Sequence, residues 1–395
     1  MNMKSGVGDH FLSKGDEWKG EGDRSLMVIV LALCFFGLIM VYSASSVMAW
    51  KNHGDATYFL KKQFLWTFMG IGLFLFFAQV SYRQLREGLI PMTCVVFALL
   101  LTVLFLGRAV NGSQRWLRFG PINLQPSEIA KLFVVIYLAH YISKKGDDLS
   151  DFFKGLWPVL TILGLLCFLI WREPDLGTTL MILMIAGLLL FIGGASLRHL
   201  GWLSGGIVVL IGISLLWHPY MLQRVKTFIN PLTVSPAKSF QINQSYIALG
   251  SGGLFGTDLG DGRQKLFFLP QPHTDFIFSV IGEELGWLGS FFVVLLFLSI
   301  LWKGVQITRD VQDPFAQMLA MGMTLLIVMP ALMNMGVVTG LLPTKGLSLP
   351  FISYGGSSLL VNWGAAGMLY RVSKDVPIRH SRKRISTFFR KGNTE

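Results

Sequence analysis

Asp275 is the residue with the most chemistry to offer. It stands where a polar, glycine-rich run (Ser239–Gly289) enters an apolar helix, two residues after His273 in Pro270-Gln271-Pro272-His273-Thr274-Asp275-Phe276. A carboxylate held at such a boundary can take a proton from a hydroxyl. It can also do something simpler: Thr274 or Asp275 can cap the helix, satisfying free N–H groups while the dipole favours the negative charge. Glu283 and Glu284 follow a few turns into the apolar helix, where an uncompensated charge is costly and is functional or paired. With three acids along one approach, the catalytic and capping readings of Asp275 stand level.

Other polar residues carry two readings each. Glu173 and Asp175, in Trp171-Arg172-Glu173-Pro174-Asp175-Leu176-Gly177, either favour the next helix's N-terminus through its dipole or line the same outer cavity. Glu128 and Lys131 lie three apart on one helix face and either neutralise each other in the bundle or serve a polar site there. Arg115-Trp116-Leu117-Arg118-Phe119 reads as a segment along the membrane interface, aromatic side down, between the turn signals Asn111-Gly112 and Gly120-Pro121. Lys345 is a lone cation beside a proline-bounded turn. Gly250–Gly256 superficially matches a dinucleotide fingerprint, but no strand precedes it and no βαβ unit surrounds it, so nucleotide binding is rejected.

The elements that must position these residues are lipid-embedded helices. Hydrophobic residues make up 52% and charged residues 14%, with a mean hydropathy of +0.56, which excludes an ordinary soluble domain. The net charge of +12 then points to anionic head groups or an anionic substrate before nucleic acid. Cys34, Cys94 and Cys167 all lie in apolar runs and read as packing residues, not disulfides or metal ligands.

Windows of about twenty apolar residues predict an all-α integral membrane protein of about ten transmembrane helices: 25–49, 62–80, 88–107, 127–143, 155–171, 175–193, 199–218, 275–302, 314–337 and 351–371. The first is read as uncleaved, because its apolar run is too long for a signal peptide. A large extracytoplasmic loop, about 219–274, joins helices 7 and 8. An even count puts both tails (1–24 and 373–395) on one side, and their Lys and Arg residues put that side in the cytoplasm. The loops disagree: Arg108, Arg115, Arg118, Arg224, Lys226, Lys238, Arg263 and Lys265 fall on the outer side. Cations retained on the disfavoured side are suited to hold an anion there.

Five stretches together carry a resemblance: Pro270–Gly286 (PQPHTDFIFSVIGEELG), Gly340–Ser358 (GLLPTKGLSLPFISYGGSS), Gln125–Lys131 (QPSEIAK), Arg115-Trp116 and Glu173–Thr178 (EPDLGT). In order and spacing, over roughly residues 25–372, the chain resembles the SEDS (shape, elongation, division and sporulation) family of bacterial cell-wall proteins. Thr344-Lys345 resembles the division branch more than the elongation branch. The resemblance implies a multi-pass protein of the bacterial inner (cytoplasmic) membrane, at the division septum. Its implied activity is peptidoglycan glycosyltransferase, polymerising lipid II during septal cell-wall synthesis beside a class B penicillin-binding protein and other division proteins. It implies Asp275 as the essential acid and places further motif positions on Arg115, Trp116, Glu128, Lys131, Lys345 and Ser353. Gln271 departs from it, standing where an acid often precedes the His-Thr-Asp core.

In that reaction an acceptor hydroxyl attacks an anomeric carbon bearing a lipid pyrophosphate. A positioned carboxylate takes the proton, and the leaving pyrophosphate needs charge stabilisation, for which Arg115, Lys345, Arg263 and Lys265 are the expected cations. A divalent cation, magnesium or manganese, would share that task with Asp275 or Glu173 as ligand. Two other classes stand beside the enzyme: a transporter that flips lipid II, drawing on Glu128, Lys131, Glu283 and Glu284, and a scaffold without chemistry.

Overall fold

The computed structural model describes residues 22–110, 113–119, 122–217, 219–229, 236–266, 268–344 and 346–376. Lys345 and the cations expected to orient the tails, from Lys4 to Lys19 and from Arg379 to Lys391, lie outside the described residues.

The chain folds as α1 (Arg24–His53), α2 (Tyr58–Gln79), α3 (Tyr82–Glu87), α4 (Leu89–Leu106), β1 (Arg108–Val110), β2 (Ser113–Phe119), β3 (Ile122–Leu124), α5 (Pro126–Lys145), α6 (Trp157–Arg172), α7 (Leu176–Ile192), α8 (Leu197–Trp217), α9 (Pro219–Ile229), α10 (Pro236–Ser251), α11 (Ile277–Glu284), α12 (Gly286–Asp310), α13 (Pro314–Val338) and α14 (Gly356–Ser373). A π-helical turn, Phe152–Leu156, leads into α6. Among the described residues, α1, α2, α4, α6 with that turn, α8, α12 and α13 are long and apolar enough to cross a membrane, and α7 is a shorter apolar helix. With α5 and α14, whose polar residues face protein, they coincide with the ten expected spans.

Local chemistry sets the ends. The Asp23 carboxylate accepts from the Ser25 and Leu26 N–H groups to cap α1. Asp313 caps α13 ahead of Pro314, and Pro126 opens α5, where a missing N–H costs nothing. α13 is the axis: 72% of its apolar window is buried, against 6% for α8. Asp23 pairs with Lys303 of α12 at 3.0 Å, and its N–H donates to Ser373 Oγ. The start of α1 and the ends of α12 and α14 therefore share one face.

Three expectations change. The eighth span begins at Gly286, not 275. Gly286 has φ +66°, and a Cβ there would lie 2.5 Å from Gly256 N and 2.6 Å from Leu254 O. The backbone of the loop is pressed against the helix start, and only glycine permits it. Glu283 and Glu284 consequently end the separate helix α11, not a membrane span. The large loop is also less irregular than its sequence suggests, because it contains α9 and α10. Residues 108–110, 113–119 and 122–124 form a secondary structure that was not expected, an antiparallel sheet ordered β1-β2-β3, with Arg108 opposite Trp116 and Leu117 opposite Leu124. Leu117 is buried, while Arg115, Trp116 and Arg118 line the cavity described below.

The two acids of α11 lock the loop. Glu283 accepts the N–H groups of Arg263 (2.7 Å) and Gln264 (3.1 Å). Glu284 accepts from Lys265 Nζ (2.6 Å) and from Ser43 Oγ of α1 (2.7 Å). Lys265 and Glu284 are both buried. Removing one partner of a buried pair strands the other charge, at about 3–5 kcal/mol. Lys265→Met should therefore lower the thermal midpoint in detergent sharply, whereas Lys265→Met with Glu284→Leu should recover most of the loss. A double variant no better than the single would show that the pair does not hold the loop.

Candidate active site

A cavity of about 1210 Å³ opens on the face away from Asp23 and Ser373. It lies between α2, β2, the first turns of α5, α9, α10 and the loops 270–276 and 344–358, with Asp275 in its wall.

The loop that carries Asp275 is clamped from two sides. Asn334, buried in α13 four residues after Pro330, donates through one amide nitrogen to Asp275 O (2.8 Å) and Leu347 O (2.6 Å). Ser353 Oγ donates to Thr274 O (2.6 Å) and accepts from Leu349 N–H (2.8 Å). The Tyr354 N–H donates to His273 O (2.9 Å). These bonds tie 273–275 to 347–354 and fix where the carboxylate points.

Asp275 is half-buried, and desolvation pushes its carboxyl up to about 6, with the Arg224 guanidinium working against that rise. A Cβ on Gly346 would lie 3.0 Å from Asp275 Oδ2, so a side chain there would crowd that oxygen. Asp275 does not cap α11, which has no side-chain cap bond. The capping reading gives way. His273 is buried against Phe59 (ring centroids 4.4 Å apart) and Tyr354 (5.7 Å). Burial depresses its imidazole to about 4, so at neutral pH it is an uncharged wall beside the acid.

Across the cavity, Arg115 lies 3.9 Å from Asp175 and donates to the backbone carbonyls of Glu173 and Pro174. Asp175 does both things open to it. It caps α7, accepting from Thr178 N–H and Oγ1 and from Gln125 Nε2, and it lines the cavity with Arg115 and Trp116. Glu128 and Lys131 pair at 2.8 Å and line it too, leaving Glu128 Oε2 buried without a partner.

Not every expected residue is there. Arg263, Lys265, Glu283 and Glu284 do not line the cavity; they form the loop lock, with Lys265 consumed by Glu284. Ser353 holds backbone instead of facing substrate. Glu173 is fully buried behind the wall, and neither carboxylate oxygen has a hydrogen-bond partner. Desolvation, then the neighbouring Asp175, push its carboxyl up to about 8, with Arg115 opposing. It is mostly protonated at neutral pH and does not line the cavity. Among the described residues no three His, Cys, Asp or Glu side chains converge, so the donor set does not fit a resident metal held by protein alone.

Sequence reasoning passed over Lys62, Phe59 and Asn334. Lys62, in the first turns of α2, lines the cavity and donates to Tyr58 OH (2.6 Å). The signal was present: two lysines opening an apolar span, and an amide inside a buried helix.

Comparison with known proteins agrees with this architecture. Residues 24–377 match the profile of the FtsW, RodA and SpoVE family, described as cell cycle proteins. The chain is 42% identical over 357 residues to a probable peptidoglycan glycosyltransferase FtsW of Geobacter metallireducens, covering 89% of this chain and 94% of that protein. It is 39% identical over 363 residues to stage V sporulation protein E of Bacillus subtilis, covering 90% and 98%. Among solved structures, it matches a chain of a peptidoglycan synthase complex that coordinates polymerization and crosslinking, with a TM-score of 0.73 at 25% identity, over 90% of this chain and 99% of that one. The rod shape determining protein RodA of Thermus thermophilus matches with a TM-score of 0.65 at 25% identity, over 90% and 98%. The chain belongs to the FtsW/RodA/SpoVE family of cell cycle proteins, the SEDS family.

Proposed function

We propose that this chain is a peptidoglycan glycosyltransferase that polymerises lipid II into glycan strands for septal cell-wall synthesis, with Asp275 as general base. The observation that carries this reading is the weakened acidity of one carboxylate, Asp275, clamped in the wall of a large cavity that also presents Arg115, Arg224 and Lys62. A base that titrates near 6 is mostly ionised at neutral pH yet is a stronger proton acceptor than an ordinary aspartate.

The acceptor sugar's hydroxyl gives its proton to Asp275 as its oxygen attacks the anomeric carbon, inverting it. The polyprenyl pyrophosphate leaves with the bonding electron pair and needs no acid. Its charge is met by the cavity's cations, preorganised before the reaction begins. A divalent cation arriving with the pyrophosphate would meet Asp275 as the carboxylate of the cavity without an ion pair among the described residues, Asp175 lying by Arg115 and Glu128 pairing with Lys131. Lys345 is adjacent in sequence to the Gly346 that faces the acid, and we assign it to the same anion subsite. Trp116 and Phe59 offer flat apolar faces against which sugar rings or the lipid stem can rest.

The division role is supported by the relatives named FtsW at 42% identity, against 25% for the solved RodA. A flippase would open one site to each face in turn, whereas the bonds of Asn334 and Ser353 clamp the Asp275 loop in the cavity wall, which favours chemistry at a fixed site. We further assign the cavity face to the periplasm, both termini to the cytoplasm and the partner to a class B penicillin-binding protein.

Four outcomes are expected. Asp275→Asn should lower polymerisation of purified lipid II, with the transpeptidase present, by at least about 10²–10⁴-fold, while its thermal unfolding stays cooperative; normal polymer from this variant refutes the assignment. The single-turnover rate should rise with pH through about 6 and then level off. Stability runs the other way: because folding raises this carboxyl from 3.8 to about 6, its contribution is fully present below pH 3.8 and is lost as pH rises through 6. Asp275→Asn should flatten that decline, and an unchanged slope would mean the carboxyl is not desolvated. Asn334→Ala, which strands two carbonyls, should cost about 1–3 kcal/mol and slow turnover with little change in KM. Asn334→Asp should not rescue it, since the donor is gone.

A further inference from the structure

Both partners of the proposed reaction are tethered to membrane carriers. The donor carries the pyrophosphate that leaves. The acceptor carries one that it keeps, a disaccharide away from the hydroxyl that attacks. The cavity has to hold the two anions at once, and because they repel each other they call for separate cations.

Among the described residues five cations and three carboxylates line the cavity. Each carboxylate is met by a cation other than Lys62. Glu128 pairs with Lys131 at 2.8 Å, Asp175 lies 3.9 Å from Arg115, and the Arg224 guanidinium acts on Asp275. Asp55, the acid nearest to Lys62 in sequence, is taken by Lys61 at 2.8 Å. Lys62 itself forms no ion pair among the described residues.

What Lys62 has instead is Tyr58, one turn earlier on α2. Its Nζ donates to Tyr58 OH (2.6 Å) and lies 4.3 Å from the ring centroid. That ring stacks on His53 at the end of α1, centroids 3.8 Å apart. A long, flexible ammonium side chain is thereby held in place without losing its charge. Phe59, Lys62 and Trp66 follow at helical spacing and all line the cavity, so the ammonium stands between two aromatic side chains on the α2 wall.

The leaving pyrophosphate belongs near Asp275, since attack and departure take place at one carbon. Arg224 acts on Asp275 and donates to Thr344 O (3.1 Å), two residues from the Gly346 that faces the acid, and is placed for that group. Lys62 is not among the charges that act on Asp275, which suits it to the pyrophosphate farther off. Resting on the glycosyltransferase reading, we propose that Lys62 is the cation of a second anion subsite, on the α2 wall, which binds the pyrophosphate that the acceptor keeps. Tyr58 is its positioning residue.

The test separates the two substrates, using the full-length protein with its transpeptidase partner. The donor is lipid II blocked at its acceptor hydroxyl. The acceptor is either a lipid II analogue whose anomeric oxygen is replaced by carbon, so that it cannot donate, or the same disaccharide-peptide without carrier or pyrophosphate. Lys62→Met should raise KM for the carrier-linked acceptor about tenfold or more, with kcat and the donor's KM little changed. It should leave KM for the carrier-free acceptor where it was. Tyr58→Phe should raise the same KM by a smaller factor, and Lys62→Arg should recover most of the loss. An unchanged KM, an equal rise for both acceptors, or a rise confined to the donor would each overturn the proposal. Should Lys62→Met fail to fold, Tyr58→Phe is read by the same criteria. Absence of any coupling by the wild type would count against the glycosyltransferase reading, and equilibrium binding would then decide the subsite. The carrier-linked analogue should bind Lys62→Met about tenfold more weakly than wild type, and equal affinity overturns the assignment.

Discussion

The carbonyls of Asp275 and Leu347 share one donor, the amide of Asn334, and the site depends on that sharing. Residues 270–276, 343–344 and 346–355 are irregular backbone set among apolar helices, where each polar group without a partner is expensive. Beyond local turns such as Ser353 N–H to Leu349 O, helical hydrogen bonds are not available to them. They close the deficit on each other and on a few side chains: Asn334 from α13, Ser353 from within the second loop, and Gln63 of α2 donating to Ser353 O at 3.2 Å. The same bonds that make the loops tolerable also make them rigid. A carboxylate on such a loop is held as firmly as one on a helix, yet faces a cavity that no regular helix packing would leave open.

How legible this was follows from the range of the forces involved. The ten spans could be read because apolar composition over twenty residues is a local property that lipid enforces, and each observed helix lies close to its expected window. The exception is instructive. The eighth span was read from residue 275 because Phe276–Ile281 is apolar, yet α11 is apolar for burial in protein, and the break at Gly286 comes from contact with Leu254 and Gly256. No window over 275–302 contains that contact. Asp275 stood out by type and place, whereas Lys265 and Glu284 showed only that charges lay near each other. Their pairing, and with it the removal of Lys265 from the cavity, depends on Ser43, 222 residues away from Lys265 in sequence. Glu173 misled for a similar reason, since its sequence neighbours Pro174 and Asp175 say nothing of the packing that hides it. The sheet was legible in principle, its alternation being present in Ser113–Phe119, but its charged and aromatic residues fit an interfacial segment equally well.

Removing a carboxylate from water is one physical problem, and this chain solves it in three ways. Glu284 is matched by a cation, Lys265, at 2.6 Å, and becomes part of the scaffold. Glu173 receives no partner and keeps its proton, which avoids burying a charge but leaves its polar oxygens unsatisfied and the group inert near neutral pH. Asp275 lies between them. Arg224 acts on it without a hydrogen bond among those that raise or lower its acidity, so it is neither neutralised by an ion pair nor driven to stay protonated. Stronger pairing would make it a poorer base, and deeper burial would leave it protonated at physiological pH. The partial exposure follows from the cavity itself: the opening that admits a substrate also admits the water that keeps the acid near 6. A larger residue at Gly346 would crowd Asp275 Oδ2, so the glycine bears on access to the base.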